Sequence, residues 1–461
     1  MTTAKQRKLG SLGLVVVLLA ALLPMMDSFI VNVALPTIAA DLDVSGADLE
    51  LVVAGYGLAF TVFLVLGGRL GDAYGRRRVL VVGLVVFTLA SLLCALAGTG
   101  GWLVAARILQ GAAAALIPPQ VLGTIQAAED AERKPRAMSR YAAVSGLAAI
   151  LGLVLGGILV QADLWGTSWR LIFLVNLPLG ITAVVLVLLL VPDTRSPHPV
   201  GVDLRGTALL AATIVLLLVG LNRGLLLGWP WWTIALLVGA PVAAVALWRT
   251  ENWVVKQGRM PLLPPSVLTE PRVRGGLLLV APFLAAWAGY LFALPLTLQN
   301  GFKLDPALAG LAVAPMSAAF LAGSFAVPGL RAKLGDGVLG AGALVQASGV
   351  LWLLGVLLLD GAVWWVLPGL VLIGWGQALV VGSSQISVLA AVPAENAGVG
   401  GGVLVTTQQG SMAIGVAALG SVYIGLAGTG HATAFAVVLA VQLTVGIAVA
   451  MAGRRAVAAR D

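Results

Sequence analysis

Long apolar stretches are the feature of this sequence that most restricts its fold. A membrane-spanning helix needs about 20 mostly apolar residues, because each residue adds about 1.5 Å toward a hydrocarbon core about 30 Å thick. With 60% hydrophobic residues, 10% charged residues and a mean hydropathy of +1.04, the chain is predicted to be an all-α membrane protein. Fourteen segments are predicted to be transmembrane helices: 9–35, 49–67, 79–98, 101–121, 141–161, 169–191, 205–221, 230–248, 276–298, 306–328, 338–359, 362–382, 398–424 and 431–452.

Basic residues are concentrated in alternate connections between these segments. Of the 27 Lys and Arg residues, all fall at the termini or in every second connection except Arg107, which lies within a segment, and three on the opposite side, Arg170, Arg223 and Lys303. Because basic loops stay in the cytoplasm, this pattern predicts a multi-pass protein of the bacterial cytoplasmic membrane with both termini cytoplasmic. Anionic lipid headgroups are sufficient partners for the net charge of +8, so nucleic acid is not expected as a partner.

A short basic loop occurs twice. GGRLGDAYGRRRVL at 67–80 has a weaker copy, PGLRAKLGDGVLG at 328–340, and aligning Gly335 with Gly75 gives an offset of 260 residues. Parallel repeats of six helices are typical of transporters. The sequence therefore predicts an N-terminal six-helix bundle at 1–192, an inserted two-helix hairpin with its linkers at 193–274, and a C-terminal six-helix bundle at 275–461, a 6+2+6 arrangement.

Four motifs support a family resemblance that covers nearly the whole chain. The loop GGRLGDAYGRRRVL resembles the signature loop of the major facilitator superfamily, and MDSFIVNVALPTI, VAARILQGAAAALIPP and WRLIFLVNLPLG resemble its fourteen-helix drug/proton antiporter branch. The resemblance implies two bundles that rock about a central cavity and export amphipathic compounds against protons. The chain departs from the branch at Leu153, where a proline is usual, and at Gln408, where an arginine is often found.

Asp27 is an acid in the middle of an apolar segment, where a charge costs roughly 2.5–3.5 kcal/mol on insertion scales. It lies roughly 12 Å below the predicted outer end of its helix, and Arg107 lies roughly 9 Å below the same boundary on the fourth segment. This shared depth predicts an ion pair that keeps Asp27 ionised and that favours proton uptake when it breaks. Asp27 and Arg107 are the predicted proton-coupling residues; a static structural salt bridge is the alternative. In the predicted cycle, a proton from outside releases substrate and leaves inward as new substrate binds.

Polar and aromatic side chains within the segments are candidates for the substrate cavity. Gln110 shares a helical face with Arg107, whereas Asn32 is turned by about 140° from Asp27 and could instead bond across helices. Aromatic rings and neutral amides suit flat, amphipathic molecules that are neutral or carry one positive charge. The predicted cavity residues are Asn32, Gln110, Trp287, Tyr290, Gln377, Gln385 and Gln409.

The glycine spacing of the basic loop predicts a conformational latch. Glycines four residues apart leave one helix face bare for close backbone contact, and a carboxylate among arginines can form charge-assisted hydrogen bonds. We expect this latch to join the two halves only when the transporter is open to the outside. The glycines of GLVLGG at 152–157 are expected to pack against the second half, where the bundles must slide; a purely static helix contact is the alternative. The predicted latch residues are Gly67, Arg69, Gly71, Asp72, Gly75, Arg76, Gly152, Gly156 and Gly157.

The sequence disfavours other classes of protein. No phosphate-binding loop and no grouping of nucleophile and base is present, so an enzyme and an ATP-driven pump are not expected. His198 and His431 are isolated and Cys94 is the only cysteine, so no metal or other cofactor is expected beyond the coupling proton. The expected partners are a small-molecule substrate, protons and lipid, with the chain as a monomer. A facilitator or proton symporter for a metabolite stays open as the alternative, as does a membrane sensor or lipid-handling scaffold that does not transport.

Overall fold

The computed structural model describes residues 9–128, 133–194, 203–258, 261–263, 265–359, 361–391 and 397–458, and this part of the chain is helical without any strand. The first half contains α1 (Ser11–Leu42), α2 (Gly46–Tyr74), α3 (Arg76–Ala95), α4 (Gly100–Ala114), α5 (Ile117–Ala128), α6 (Lys134–Ala162), α7 (Leu171–Leu174) and α8 (Asn176–Leu190). The middle contains α9 (Leu204–Leu227), α10 (Trp231–Lys256) and α11 (Pro265–Thr269). The second half contains α12 (Pro271–Leu296), α13 (Pro306–Leu334), α14 (Gly337–Leu358), α15 (Val366–Ala390), α16 (Ala397–Gly415), α17 (Ser421–Ala427) and α18 (His431–Ala458).

Short polar side chains mark where several helices begin. Ser45, Thr99, Asp203 and Asp305 each accept a hydrogen bond from a backbone N–H in the first turn of α2, α4, α9 and α13, respectively. These side chains satisfy N–H groups that have no partner within the helix. One π-helical turn, Thr297–Gly301, continues α12, and another, Val416–Gly420, joins α16 to α17.

The described residues contain eleven helices long and apolar enough to cross a membrane, or twelve when the pair Asp48–Leu64 and Leu66–Tyr74, bent by 45°, is one span. Two of the fourteen predicted segments contain shorter apolar helices, Leu151–Ala162 and Arg205–Leu221. The chain is therefore a multi-pass membrane protein of eleven or twelve spans by this measure, and the count of fourteen stays a prediction.

The two halves repeat one packing pattern. In the first half α1 packs on α6, α2 on α4 and α3 on α8; in the second half α12 packs on α16, α13 on α15 and α14 on α18. Thus the first helix contacts the fifth, the second contacts the fourth, and the third contacts the sixth in both halves. This is the symmetry expected of a transporter built from two parallel repeats.

The two copies of the basic loop also share their backbone geometry. Gly75 ends α2 with φ +101°, and Gly335 ends α13 with φ +57°, a region in which a side chain would be strained. Beside each glycine, an arginine pairs with an aspartate at 2.9 Å: Arg76 with Asp72, and Arg331 with Asp336. The repeated loop therefore ends its helix with a glycine of positive φ and contains an Arg–Asp pair in both halves.

The halves meet along α2 with α16 and along α6 with α13. Gln299 Nε2 donates to the carbonyl oxygen of Val33 at 2.8 Å, and Ser421 Oγ lies 2.9 and 2.7 Å from the two carboxylate oxygens of Glu50. Both contacts lie toward the end of the molecule where α1 ends and α2 begins. These two contacts join the halves at this end.

Candidate functional site

A buried carboxylate lies near the middle of α1. Asp27 is 0% exposed, and three side chains of α4 and α8 donate hydrogen bonds to it. Arg107 Nη1 lies 2.5 Å from Oδ2, while Gln110 Nε2 at 3.0 Å and Asn176 Nδ2 at 2.7 Å both reach Oδ1. One ion pair and two neutral hydrogen bonds therefore compensate for the removal of this charge from water.

The guanidinium of Arg107 is equally enclosed, at 1% exposure. Its Nε donates to the carbonyl oxygen of Val52 at 3.2 Å, and its Nη1 also donates to Gln110 Oε1 at 2.6 Å. Its central carbon lies 4.1 Å from the centre of the Tyr56 ring, close enough for a cation–π interaction. Arg107 therefore connects the carboxylate of α1 to both the backbone and an aromatic ring of α2.

Helix α3 supplies a second ring of contacts around the pair. Ser91 Oγ accepts from Gln110 Nε2 at 2.8 Å and from Asn176 Nδ2 at 3.3 Å. The thiol of Cys94 lies 3.6 Å from Gln110 Oε1. Because the amides are held by Ser91 as well as by Asp27, both are oriented before any rearrangement of the ion pair.

A small cleft lies between the two halves next to this cluster. Its lining residues in the described chain include aromatic rings, amides and a thioether but no Asp, Glu, Lys or Arg. They are Ser28, Phe29 and Asn32 of α1; Val53, Ala54, Tyr56 and Gly57 of α2; Ala288 and Leu291 of α12; Gln409, Met412 and Ala413 of α16; and Val416. Apolar walls with a few neutral hydrogen-bonding groups can hold a small amphipathic molecule.

Tyr56 separates the cleft from the ion pair. Its ring lines the cleft and also contacts the guanidinium of Arg107, and its hydroxyl donates to the carbonyl oxygen of Pro24 at 2.9 Å. Asp27 does not itself line the cleft. A molecule bound in the cleft would therefore contact the ring that covers Arg107, whereas a proton reaches Asp27 only if this packing opens.

Two predicted cavity residues, Asn32 and Gln409, line the cleft. Asn32 hydrogen-bonds within α1, to the carbonyl oxygens of Ser28 and Phe29, so the bond across helices considered from the sequence does not form. Gln110 is completely buried and belongs to the Asp27 cluster instead. It does not line this cleft, because its helical face carries it toward the carboxylate.

The remaining predicted cavity residues also lie outside this cleft. Trp287 stacks on Tyr290, and Tyr290 stacks on Phe435, with ring centres 5.4 and 5.7 Å apart. Gln377 accepts a hydrogen bond from Gln346 at 2.9 Å within the second half, and Gln385 is partly exposed on the same helix, α15. Packing within the second half accounts for the positions of Trp287, Tyr290 and Gln377, since an apolar sequence does not show which side of a helix faces the cavity.

The latch residues of the basic loop contact the first half and the linker in this conformation. A Cβ at Gly67 would lie 2.8 Å from the carbonyl oxygen of Ala115, and one at Gly71 would lie 1.7 Å from Gln120 Oε1. Arg76 pairs with Asp72 and donates to the carbonyl oxygen of Gly123 at 3.0 Å. The expected glycine contact thus occurs, but its partners are α4 and α5.

Arg69 connects the loop to the inserted hairpin. Its guanidinium donates to the carbonyl oxygen of Pro261, and it interacts electrostatically with Asp203 at the start of α9 and Glu251 in α10. Glu251 is 1% exposed and accepts from the backbone N–H of Leu263 at 3.2 Å. The hairpin and the basic loop are therefore joined by buried charges that the sequence alone did not single out.

The three glycines predicted to pack against the second half divide between two partners. A Cβ at Gly152 or Gly156 would lie 2.7 Å from the carbonyl oxygen of Met26 or Ile30, so both pack against α1 of their own half. A Cβ at Gly157 would lie 2.4 Å from the carbonyl oxygen of Pro306 in α13. The prediction was therefore wrong for Gly152 and Gly156, because that helix face is turned toward α1, while Gly157 does reach the second half.

Sequence reasoning missed Asn176, Ser91 and Tyr56 of the Asp27 cluster and Glu50 of the contact between the halves. Asn176 stands alone in the apolar run LIFLVNLPLG, and that isolation was a usable signal. Glu50 lies at the predicted edge of the second segment, where an acid is expected to be solvated, yet it is 0% exposed and contacts Ser421 of the second half. Only the packing of α17 against α2 explains its burial.

Of the two histidines, His431 lies in the described part of the chain. Tyr423 Oη lies 3.0 Å from Nδ1 of His431, so His431 takes part in a contact within the second half. His198 lies outside the described residues.

Leu153, at the position where a proline is usual, is buried, and its carbonyl oxygen would lie 2.6 Å from a Cβ at Gly310 of α13.

Comparison with known proteins agrees with this architecture. The chain is 37% identical over 428 residues to a probable actinorhodin transporter of Streptomyces coelicolor, covering 92% of this chain and 74% of the relative. It is 35% identical over 421 residues to a puromycin resistance protein of Streptomyces alboniger, covering 90% and 82%. The crystal structure of a peptide transporter POT in complex with sulfate matches with a TM-score of 0.72, 16% identity and coverage of 98% and 97%, a similarity of fold alone.

Residues 17–416 match the model of the Major Facilitator Superfamily. This match covers most of the chain, and it confirms the predictions of the superfamily and of a transport protein rather than an enzyme. The structure agrees with that match: it has two packed repeats, a cleft between them, and a polar cluster within the first repeat. The chain belongs to the Major Facilitator Superfamily.

Proposed function

We propose that this chain is a proton-coupled antiporter that exports small amphipathic or lipophilic compounds across the bacterial cytoplasmic membrane. Efflux is supported by the relatives, which are a transporter of one natural product and a protein that confers resistance to another. The observation that carries proton coupling is the buried Asp27–Arg107 pair, separated by one aromatic ring from an uncharged cleft. When a buried carboxylate loses its guanidinium partner, burial favours its neutral form, so it can bind a proton instead.

The proposed cycle alternates between a paired and a protonated Asp27. In the paired state the carboxylate is ionised and the end of the molecule bearing Glu50 and Ser421 is closed. Separation of the halves at that end admits water, a proton neutralises Asp27, and Arg107 and Tyr56 are released. When the Tyr56 ring leaves the cleft lining, the substrate loses a contact and is released to the outside. When a new substrate binds, Tyr56 returns to the lining, Arg107 pairs with Asp27 again, and the proton leaves toward the cytoplasm.

We infer that the branch is the fourteen-helix one in a 6+2+6 arrangement, with both termini cytoplasmic and the chain acting as a monomer. The inference is supported by α9 and α10, which lie between the two repeats, and by the concentration of basic residues on one side. With this orientation, the end of the molecule where Glu50 contacts Ser421 faces outward.

The uncharged lining of the cleft defines the proposed substrate class. Phe29 and Tyr56 offer ring faces, Asn32 and Gln409 offer neutral hydrogen bonds, and Met412 offers an adaptable apolar contact. A doubly charged cation would find no compensating carboxylate in the described lining. Neutral compounds and monocations with a flat apolar body are therefore the proposed cargo.

Reconstituted proteoliposomes with an imposed pH gradient test this proposal. A lumenal dye reports pH while flat monocationic and neutral compounds are added one at a time. Antiport moves protons opposite to the compound, and Asp27→Asn is expected to abolish that movement while an Asp43→Asn control, an exposed acid just beyond the end of α1, retains it. Proton movement in the same direction as the compound would indicate the symporter alternative. Unchanged coupling in Asp27→Asn would remove Asp27 from the mechanism.

A further inference from the structure

A second cleft lies at the membrane-facing surface of the inserted hairpin, apart from the transport site. It is shallow and open, and it is lined by Arg205 at the start of α9 and by Arg249, Thr250 and Trp253 near the end of α10. The cleft is therefore built from the two ends of the hairpin that lie on the same side of the membrane.

Exposed tryptophans place this cleft at the level of the lipid headgroups. Trp231 at the start of α10 is 80% exposed, and Trp253 near its end is 47% exposed. The two are separated by about 33 Å along the helix at 1.5 Å per residue, which matches a hydrocarbon core about 30 Å thick. Tryptophan is enriched at both interfaces of a bilayer, so Arg249 and Thr250 lie at one of these interfaces.

The two arginines of the cleft are not used by the protein itself. Both are exposed, and neither forms an ion pair or side-chain hydrogen bond with the described residues. The nearest acids on the same elements face elsewhere: Asp203 accepts from the N–H of Gly206 at 2.8 Å, and Glu251 is buried against Leu263. The cleft thus presents two uncompensated positive charges, and the N-terminal end of the α9 dipole adds to them.

An apolar strip continues from the arginines toward the middle of the bilayer. Val238, Val242 and Val245 are 61%, 65% and 51% exposed, and their spacing of four and three residues places them on one face of α10 that leads to Arg249. A soluble anion would contact the arginines but not the valines. A phospholipid can contact both, because its acyl chains extend from the glycerol next to its phosphate toward the middle of the bilayer.

We propose that this cleft binds the phosphate group of an anionic phospholipid in the adjoining leaflet, with the two arginines on the headgroup and an acyl chain along the valine strip. Arginine is well suited to phosphate, because its planar donors can engage two oxygens at once. Thr250 supplies a neutral hydroxyl, and Trp253 packs at the glycerol level. This lipid site is independent of the proton coupling proposed above.

Native mass spectrometry of the full-length protein in detergent, titrated with dioleoyl phosphatidylglycerol, measures the binding. Each basic residue near an anionic surface contributes roughly fivefold, so Arg205→Gln with Arg249→Gln is expected to weaken phosphatidylglycerol binding by about 30-fold. Arg272→Gln with Arg274→Gln is a matched control, because it removes two exposed arginines at the start of α12 without touching the cleft. Binding by this control is expected to stay within about twofold of the parent.

Arg205→Lys with Arg249→Lys keeps the charge and separates headgroup binding from a folding defect. Its binding is expected to lie between those of the parent and the glutamine variant. Equal losses in the glutamine variant and the α12 control would mean that only net charge matters, and would overturn the site. Displacement of phosphatidylglycerol by millimolar inorganic phosphate, or equal binding of phosphatidylcholine, would likewise overturn an anionic-lipid site.

Discussion

Removal of one partner of the buried ion pair is expected to destabilise the protein far more than removal of a surface pair. Asp27→Asn leaves Arg107 without its counter-charge, and Arg107→Gln leaves Asp27 with only two neutral donors, Gln110 and Asn176. Breaking a buried pair by one substitution costs about 3–5 kcal/mol. Two unit charges about 4 Å apart attract by about 4 kcal/mol at an effective dielectric constant of about 20. Because measured couplings between contacting residues reach only about 3 kcal/mol, we expect the double variant to lose about 2–3 kcal/mol less than the sum of the single variants.

Reversible unfolding of the purified protein in mixed micelles, followed by tryptophan fluorescence, measures the four free energies of this double-mutant cycle. The pair formed by Arg170 and Asp41 is the control: its nitrogen–oxygen distance is 2.7 Å, but its side chains are 28% and 42% exposed. A pair exposed to this degree is expected to couple by at most about 1 kcal/mol. If the coupling free energy of the Asp27–Arg107 pair is no larger than that of the Asp41–Arg170 pair, burial does not strengthen the interaction and our reasoning is wrong.

Three further substitutions test other contacts by the same unfolding measurement. Asn176→Ala removes a donor to a buried carboxylate and should cost about 1.5–3 kcal/mol, whereas Asn252→Ala, which loses a bond within its own helix, should cost less than about 1 kcal/mol; equal costs would contradict the role of Asn176. Ser421→Ala removes a donor to Glu50 and should cost about 1–3 kcal/mol, more than Ser324→Ala, and a value near zero would show that the contact between the halves contributes nothing. Gly415→Ala would place its Cβ 1.9 Å from the carbonyl oxygen of Ala285 and should destabilise the contact of α16 with α12, whereas Gly425→Ala, which meets nothing within 4 Å, should be neutral or slightly stabilising; similar effects would show that this close approach is not required.

The depth of a residue in the membrane could be predicted from sequence, but its direction could not. A fixed rise per residue predicted that Asp27 and Arg107 share a level, and the structure places their side chains in contact. The cavity predictions depended on which side of each helix faces inward. Asn32 and Gln409 reached the cleft, whereas Trp287, Tyr290 and Gln377 turned into the packing of the second half.

The sequence by itself determined that the chain crosses a membrane many times, that it contains two related halves, and that one acid lies deep within the first helix. Those conclusions follow from the length of the apolar segments, the repeated basic loop and the isolated charge, and they require no knowledge of tertiary contacts. The tertiary structure alone decided that Asn176 and Ser91 complete the site of Asp27, that Tyr56 separates it from the cleft, and that Glu50 is buried between the halves. The physical reason is that lipid and protein interior are almost equally apolar, so hydropathy shows that a helix is inserted but not which of its faces meets another helix.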